Sequence, residues 1–302
     1  MKKILLIAFI IIFAGVAGFG IYFYVNLNKK GNGEEKDFIV RSGQSTREIA
    51  DSLQEEGLIT SATVFTYYAK MRADLIQVGV YKISASQSIK EILAVLNSGK
   101  TSEDIATIPE GWRVTQIDDY LSQKKIIQKG ALLQIASANE GFLFPDTYRF
   151  LPNTKPEEIR QEMLDNFNKK TTDLKVKRED IILASIVERE AKFDEDRAKI
   201  ARVYLNRLAQ NMKLQADPTI QYAKGSWDPI TVSDYKNVDS PYNTYLNFGL
   251  PPGPICNPGL KSIEAALHPA NNDYLYFFHG SNGRAVFSNT LQEHETKLKQ
   301  AE

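Results

Sequence analysis

Ile181-Ile182-Leu183-Ala184-Ser185-Ile186-Val187-Glu188-Arg189-Glu190-Ala191 is the stretch on which the reading of this chain turns. Leu183, Ile186, Val187 and Glu190 fall at i, i+3, i+4 and i+7, so a helix over 181–191 carries all four on one face. A carboxylate centred on an apolar face is costly unless it is paired or neutralised. Desolvation raises its pKa, which keeps a carboxylic acid protonated near neutral pH and able to donate. Glu188, two residues earlier, points toward the side of Ala184 and Ser185. Glu190 is therefore the candidate acid. The competing reading is an ion pair with Arg197 or Arg202, since such pairs also perturb carboxylates.

Downstream, a second amphipathic helix is expected over Asp194–Gln210, with Ile200, Val203, Tyr204 and Leu208 on its apolar face. Gln215–Gly259 is rich in Pro, Gly, Asn and Tyr and reads as a long loop, which inside a compact domain is usually functional or disordered. Its aromatic residues (Tyr222, Trp227, Tyr235, Tyr242, Tyr245 and Phe248) argue against disorder. A strand over Tyr274–Phe278, an Asn282-Gly283 turn, a strand over Ala285–Ser288 and a terminal helix complete the chain.

Upstream, Lys2 and Lys3 precede an uncharged apolar run, Ile4–Val25. At ~1.5 Å rise per residue a helix of that length spans a hydrocarbon core of about 30 Å. Gly15-Val16-Ala17 offers a signal-peptide cleavage site, but the apolar run continues well past it, which favours an uncleaved anchor. Asn26–Asp37 is polar with two glycines and reads as a flexible linker. An internal repeat follows: Gln44-Ser45-x-x-Glu48-Ile49-x-x-x-Leu53 recurs as Gln87-Ser88-x-x-Glu91-Ile92-x-x-x-Leu96, with a weaker echo from Gly111 to Leu121. Each copy follows a short β-like stretch (Phe38–Val40, Gly79–Ile83, Ile105–Ile108). Ser45 and Ser88 each precede a Glu by three residues, the capping-box spacing. A helix over Ala62–Met71 completes the first copy as β-α-α-β. The order Phe38-Ile39-Val40-x-x-Gly43-x-Ser45 leading into a helix resembles a LysM-type peptidoglycan-binding module over roughly residues 38–84.

The composition sets bounds on function. The 302 residues allow about two domains, and 37 basic against 37 acidic residues leave a formal net charge of +0 with no long basic stretch, which argues against a nucleic-acid binder. Cys256 is the single cysteine, read as a packing residue. His268, His279 and His294 lack metal-ligand spacing, so no metal is expected.

Four blocks together resemble the YceG-like (MltG) family, the membrane-anchored endolytic murein transglycosylases. They are Ile186-Val187-Glu188-Arg189-Glu190 with Arg202–Leu208 on the next helix; Leu214–Tyr222; Ser240–Tyr245 with Gly249–Ile255 and Asn257-Pro258-Gly259; and Glu140–Tyr148. The resemblance implies cleavage of the MurNAc-β-1,4-GlcNAc bond within nascent glycan strands by attack of the muramyl 6-hydroxyl on its own anomeric carbon. This leaves 1,6-anhydroMurNAc ends and could terminate strand elongation. One carboxyl group then serves as acid and base, where hydrolytic glycosidases typically use a pair. The family's catalytic glutamate falls on Glu190. Gln215, Asp217, Thr219, Tyr222, Tyr242, Asn243 and Thr244 are the expected sugar contacts, supplying rings for stacking and polar groups for hydroxyls. Two departures stand out: Ala191 follows the glutamate where related enzymes carry a small hydroxyl residue, and Ala285 stands where the family pattern has His.

The expected fold is α+β: a tail (1–3), a transmembrane helix (4–25), a linker (26–37) and a LysM-like domain (38–100). A connecting region with a strand-helix unit (101–177) then leads to a mainly helical, lysozyme-like catalytic domain with a small β-hairpin (178–302). Expected partners are peptidoglycan glycan strands, the membrane through the N-terminal helix and, by family analogy, cell-wall synthesis proteins. No cofactor and no nucleic acid is expected. The catalytic domain is expected outside the cytoplasmic membrane. Two alternatives stand beside this reading: a non-catalytic peptidoglycan-binding scaffold, and a hydrolytic muramidase with Glu188, Asp194 or Asp217 as second carboxylate.

Overall fold

The computed structural model describes residues 2–41, 43–73, 75–99, 104–152 and 154–301. The chain is mixed helix and strand and divides into two compact units, one up to Asp104 and one from Ile105. The expected boundary at residues 100/101 lies outside the described residues.

The first unit opens with α1 (Lys2–Asn28), whose Phe9–Asn28 portion is long and apolar enough to cross a membrane. There follow β1 (Lys36–Val40), α2 (Thr46–Glu55), α3 (Ala62–Arg72), β2 (Gly79–Ile83) and α4 (Ile89–Asn97). β1 and β2 pair antiparallel with Phe38 opposite Tyr81. Both repeat copies form the capping boxes their spacing predicts. The Ser45 and Ser88 hydroxyls accept the main-chain N–H of Glu48 and Glu91, and those carboxylates accept the N–H of Ser45 and Ser88, each at 2.7 Å. Phe38, Leu53, Phe65, Tyr81, Ile92 and Leu96 form the core. The polar stretch read as a flexible linker is held down: the Gly31 N–H donates to the Ala85 carbonyl at 2.7 Å and the Ser84 hydroxyl to the Gly33 carbonyl at 2.7 Å.

β3 (Asp104–Thr107) starts at the boundary, and the second unit continues with α5 (Val114–Gln123), α6 (Ala131–Ala136), β4 (Thr147–Phe150) and α7 (Pro156–Lys170), with β3 paired to β4. The weaker repeat copy does form a helix, α5, but Arg113 replaces the capping serine. Next come α8 (Arg178–Glu190), α9 (Asp194–Ala209), α10 (Asp217–Ala223), α11 (Asp234–Asn237), α12 (Leu260–Leu267), β5 (Tyr276–His279), β6 (Ala285–Ser288) and α13 (Leu291–Ala301). The supposed loop Gln215–Gly259 therefore contains two short helices. α10 starts at an Asp-Pro pair, where Pro218 lacks only an N–H that a first turn leaves unbonded in any case. β5 and β6 form the expected hairpin, with His279 opposite Ala285 and Gly283 at φ +79° in the turn.

α8 is the spine of this unit. Residues Ile181–Val187 are buried on every side, packed by α12, α9 and α10. Burial stabilises each large aliphatic side chain by roughly 1.5–3 kcal/mol. Even Ser185 is enclosed: its hydroxyl donates to the Ile182 carbonyl and accepts the Ile255 N–H. Beyond this buried stretch, the last turn of the helix places Glu188, Arg189 and Glu190 in three different environments.

Candidate active site

Successive helical residues are rotated by about 100°, so the three charged residues ending α8 diverge. Glu188 turns to an ion pair with Arg197 of α9 at 3.3 Å, and its second oxygen accepts the Gly259 N–H at 3.0 Å; both charged side chains are nearly buried, 7% and 11% exposed. Arg189 lays its guanidinium over the Trp227 ring, 4.0 Å from the centroid, and Arg113 covers the same indole at 3.7 Å. Glu190 points elsewhere. Among the described residues the one hydrogen-bond donor to its carboxyl is the Tyr204 hydroxyl of α9, 2.7 Å from Oε1.

The sequence left open an ion pair between Glu190 and Arg197 or Arg202. The structure engages Arg197 with Glu188 and Asp194, and Arg202 with the Ala270 carbonyl at 2.6 Å. Burial pushes the Glu190 carboxyl up to about 7; the Tyr204 bond opposes this, the charge of Asp217 adds to it, and Arg207 opposes it. Arg207 sits too far into its own contacts to neutralise Glu190, because its guanidinium donates to the Leu275 and Leu214 carbonyls, both at 2.6 Å. Burial and the Glu190 carboxyl keep the Tyr204 phenol protonated. The result is a carboxyl held by one donor, half protonated near neutrality, with an oxygen left for a further partner.

Glu140, in the Glu140–Tyr148 block, is also pushed up by burial to about 7. Its geometry differs. Both its oxygens receive the Val114 N–H at 3.2 Å, and Oε1 also accepts the Asn257 amide at 3.0 Å. It caps α5. Asn257 is fully buried and binds the N–H groups of Gly141 and Leu143, each at 2.9 Å, as well as the Trp112 carbonyl. The Glu140 and Asn257-Pro258-Gly259 blocks are thus stitched to one another, and their role in the fold is to fix the loops around α8.

The expected sugar contacts separate into three groups. Asp217 is an electrostatic neighbour of Glu190, and its Oδ1 accepts the Tyr245 hydroxyl at 2.5 Å. Tyr245 in turn stacks on Tyr235, 4.2 Å between centroids. Gln215, just before Asp217, keeps an exposed side chain on a backbone with φ +52°, a left-handed conformation that non-glycine residues rarely adopt and that clusters at functional sites.

Thr219, Asn243 and Thr244 form the second group, and all three are buried with their polar atoms turned inward. The Thr244 hydroxyl accepts the Ala216 N–H and meets the Thr219 hydroxyl at 2.9 Å, while the Thr244 carbonyl accepts the Gln215 N–H at 3.1 Å. Asn243 donates to the Tyr235 and Val238 carbonyls and accepts the Tyr245 N–H. These residues hold the turn carrying Gln215 and Asp217, and the loop carrying Tyr245. Tyr222 and Tyr242 form the third group. They pack against each other at 4.7 Å, and their charged neighbours are Glu140, Arg113 and Arg178.

Sequence reasoning placed Tyr204 among apolar residues and did not single out Arg207 or Tyr245 around the glutamate. The signal for Tyr204 was present, since a buried tyrosine hydroxyl needs a partner and the last turn of the adjacent helix carries Glu188 and Glu190. The hairpin joins the site from below: the Ala285 N–H donates to Asp196 at 3.0 Å, and the His279 ring is bonded to the Glu190 main chain. Cys256 is buried against the Ser185 carbonyl and is a packing residue. No group of His, Cys, Asp and Glu that could hold a metal occurs among the described residues.

A family model described as the YceG-like family matches residues 38–300. The chain belongs to this family. It is similar to the endolytic murein transglycosylase of Bacillus subtilis (strain 168), 37% identical over 293 residues that cover 84% of this chain and 81% of the relative. It is 30% identical to a protein of the same name from Streptococcus pneumoniae (serotype 2), over 86% of this chain but 57% of that longer relative. The crystal structure of a yceG-like protein from Listeria monocytogenes superposes with a TM-score of 0.55 at 33% identity, covering 88% of this chain and all of that one.

Proposed function

We propose that this chain is an endolytic murein transglycosylase, a lyase, in which Glu190 acts first as acid and then as base. The observation that carries the assignment is the state of Glu190: one hydrogen bond, a carboxyl raised to about 7, and an oxygen without a partner among the described residues. Burial raises Glu140 to about 7 as well, but its geometry is wrong, because its oxygens are occupied by the Val114 N–H and the Asn257 amide. The family and the relatives described above supply the reaction class.

The chemistry balances on one group. Protonated Glu190 delivers its proton to the glycosidic oxygen as the C1–O4 bond breaks, releasing the GlcNAc 4-hydroxyl. The resulting carboxylate then takes the proton of the muramyl 6-hydroxyl as O6 bonds to C1, which restores the acid and consumes no water. A pKa near 7 suits a group that must give and recover a proton at neutral pH. Tyr204 fixes which oxygen faces the sugar by donating to Oε1. Asp217, held by Tyr245, stands close enough to favour the positive charge that develops at C1. In this reading Gln215, exposed beside Asp217, contacts the glycan, Thr219, Asn243 and Thr244 hold the loops that carry the contacts, and Tyr222 and Tyr242 supply rings for a more distant sugar.

The β-α-α-β arrangement of the first unit supports a LysM-like role in holding peptidoglycan, and the helical packing around α8 supports a lysozyme-like lineage for the second. α1 anchors the chain as a single pass in the cytoplasmic membrane with both units outside, facing nascent strands and wall-synthesis proteins. Mass spectrometry of purified peptidoglycan treated with the full chain in detergent tests the reading. Anhydro-muropeptides are expected. Reducing ends would instead favour hydrolysis with Asp217 as second carboxylate, and unchanged glycan would favour a scaffold.

A further inference from the structure

The end of α1 is built into the first unit. Leu27 is buried in that unit's core, with Phe23 packed against it. The Tyr22 hydroxyl donates to the Ser61 hydroxyl at 3.3 Å, Thr60 donates to the Asn26 side chain at 3.1 Å, and Lys30 pairs with Glu91 at 2.7 Å. Attachments at Tyr22, Asn26 and Lys30 leave the domain no free hinge at the point where the apolar run ends.

This fixes a height. The run Ile4–Val25 spans about 33 Å at ~1.5 Å per residue, against a hydrocarbon core of about 30 Å, so Val25 stands at its outer edge. Tyr22, about 4.5 Å before that edge, lies at the level where interfacial tyrosines gather. Ser61 is bonded to it and is the N-cap of α3. With α1 as the anchor, α3 starts near the lipid surface.

α3 has two faces. Ala62, Val64, Phe65 and Ala69 are buried inside the unit. Thr63, Tyr67, Lys70 and Met71 lie outward at i, i+4, i+7 and i+8. Tyr67 is 55% exposed and Met71 76%, and Leu75, just beyond the helix, is 85% exposed. The helix carries Lys70 and Arg72 in its last turn and no acidic residue. Tyr67 and Met71 with Lys70 between them, on a helix that starts near headgroup level, present an aromatic and apolar ridge and a long cationic side chain able to sit at a membrane interface.

We propose that the outer face of α3 rests in the headgroup layer of an anionic bilayer, as a second membrane contact beside α1. Tyr67, Met71 and Leu75 reach the acyl boundary, and Lys70 meets lipid phosphates. The inference rests on the reading of α1 as an anchor, and the test separates the two.

The full chain is reconstituted in vesicles containing phosphatidylglycerol, with a spin label at Met71→Cys, at Tyr67→Cys or, as control, at Arg47→Cys near the start of α2. The native Cys256 is buried and stays unlabelled. Labels on α3 should collide with oxygen, which partitions into lipid, several-fold more than with a water-soluble nickel complex. The Arg47 label should show the reverse. The protection of the α3 labels should weaken in vesicles of neutral lipid. Labels at 67 and 71 as open to nickel as the one at 47, in protein that resists alkaline extraction, would overturn the inference and leave the anchor standing. Protection appearing only after addition of a protein fraction would assign the face to a protein and overturn it as well. Release of the chain by alkali would overturn both readings.

Discussion

Replacing Tyr204 by Phe removes one oxygen atom and tests how Glu190 is tuned. The phenol donates to Oε1 at 2.7 Å and is the largest influence lowering a carboxyl that burial has raised to about 7. A hydrogen bond to a charged group is worth about 1.5–3 kcal/mol, which corresponds to roughly one to two pKa units. The remaining solvent contact at Glu190 argues for the lower end, so its pKa should rise by about one unit. The reaction starts from protonated Glu190, hence kcat/KM falls as pH rises through that pKa. The wild-type profile should bend downward near pH 7, and the Tyr204→Phe profile about one unit higher. The plateau below the bend should drop about tenfold, because the carboxyl loses the bond that orients it. Anhydro-muropeptide release measured from pH 5 to 9 gives both quantities. Loss of the hydroxyl should cost about 1 kcal/mol in stability. A mutant whose alkaline limb stays at the wild-type position would refute the reasoning, because Tyr204 would then be a packing residue without influence on the acid.

Glu188→Gln should unfold the chain more easily by about 2–3 kcal/mol, because it leaves the Arg197 guanidinium nearly buried with Asp194 as its remaining carboxylate. Its activity per folded molecule should stay within a few-fold of wild type; urea melts and turnover on the same sample separate the two effects. Asn243→Ala removes the bonds to Tyr235, Val238 and Tyr245, and should lose roughly 2–4 kcal/mol. An inactive Asn243→Ala with an unchanged melting temperature would instead make Asn243 a sugar contact. Glu190 also sets a pH dependence of stability. Its folded pKa lies above the ordinary 4.5, so its contribution is fully present below pH 4.5 and is lost as pH rises through about 7. Glu190→Gln should therefore gain up to about 3 kcal/mol over wild type at pH 8 and nothing near pH 4, as read by denaturant titration at the two pH values.

Local rules were legible wherever short-range chemistry decides the outcome. The Ser45/Glu48 and Ser88/Glu91 boxes close as written because a cap needs only residues three apart. The 3.6-residue stripe found α8 and set Glu190 and Glu188 toward different partners, although α8 proves buried on all sides over Ile181–Val187 rather than on one face. What sequence could not supply was long-range. Thr219, Asn243 and Thr244 looked like glycan contacts because they are polar residues in a loop, yet their bonds turn inward, to Ala216, Tyr235 and Val238. α10 and α11 hid within a Pro- and Gly-rich stretch because they are only seven and four residues long. The segment after α1 read as a linker from its glycines and charges, and its bonds to Ser84 and Ala85 depend on partners some fifty residues away.

The most direct measurement is the yield of 1,6-anhydro-muropeptides from peptidoglycan incubated with Glu190→Gln, with Glu188→Gln and Glu140→Gln beside it. Glutamine keeps the volume of the side chain and removes the transferable proton. General acid–base catalysis by one group contributes typically ~10²–10⁴-fold, and here the same group serves both halves of the reaction. The account predicts that Glu190→Gln makes no detectable anhydro product while melting at or above the wild-type temperature at pH 8, and that the other two variants still form it. Wild-type yield from Glu190→Gln, or loss of product confined to a well-folded Glu140→Gln, would contradict the claim that Glu190 carries the chemistry.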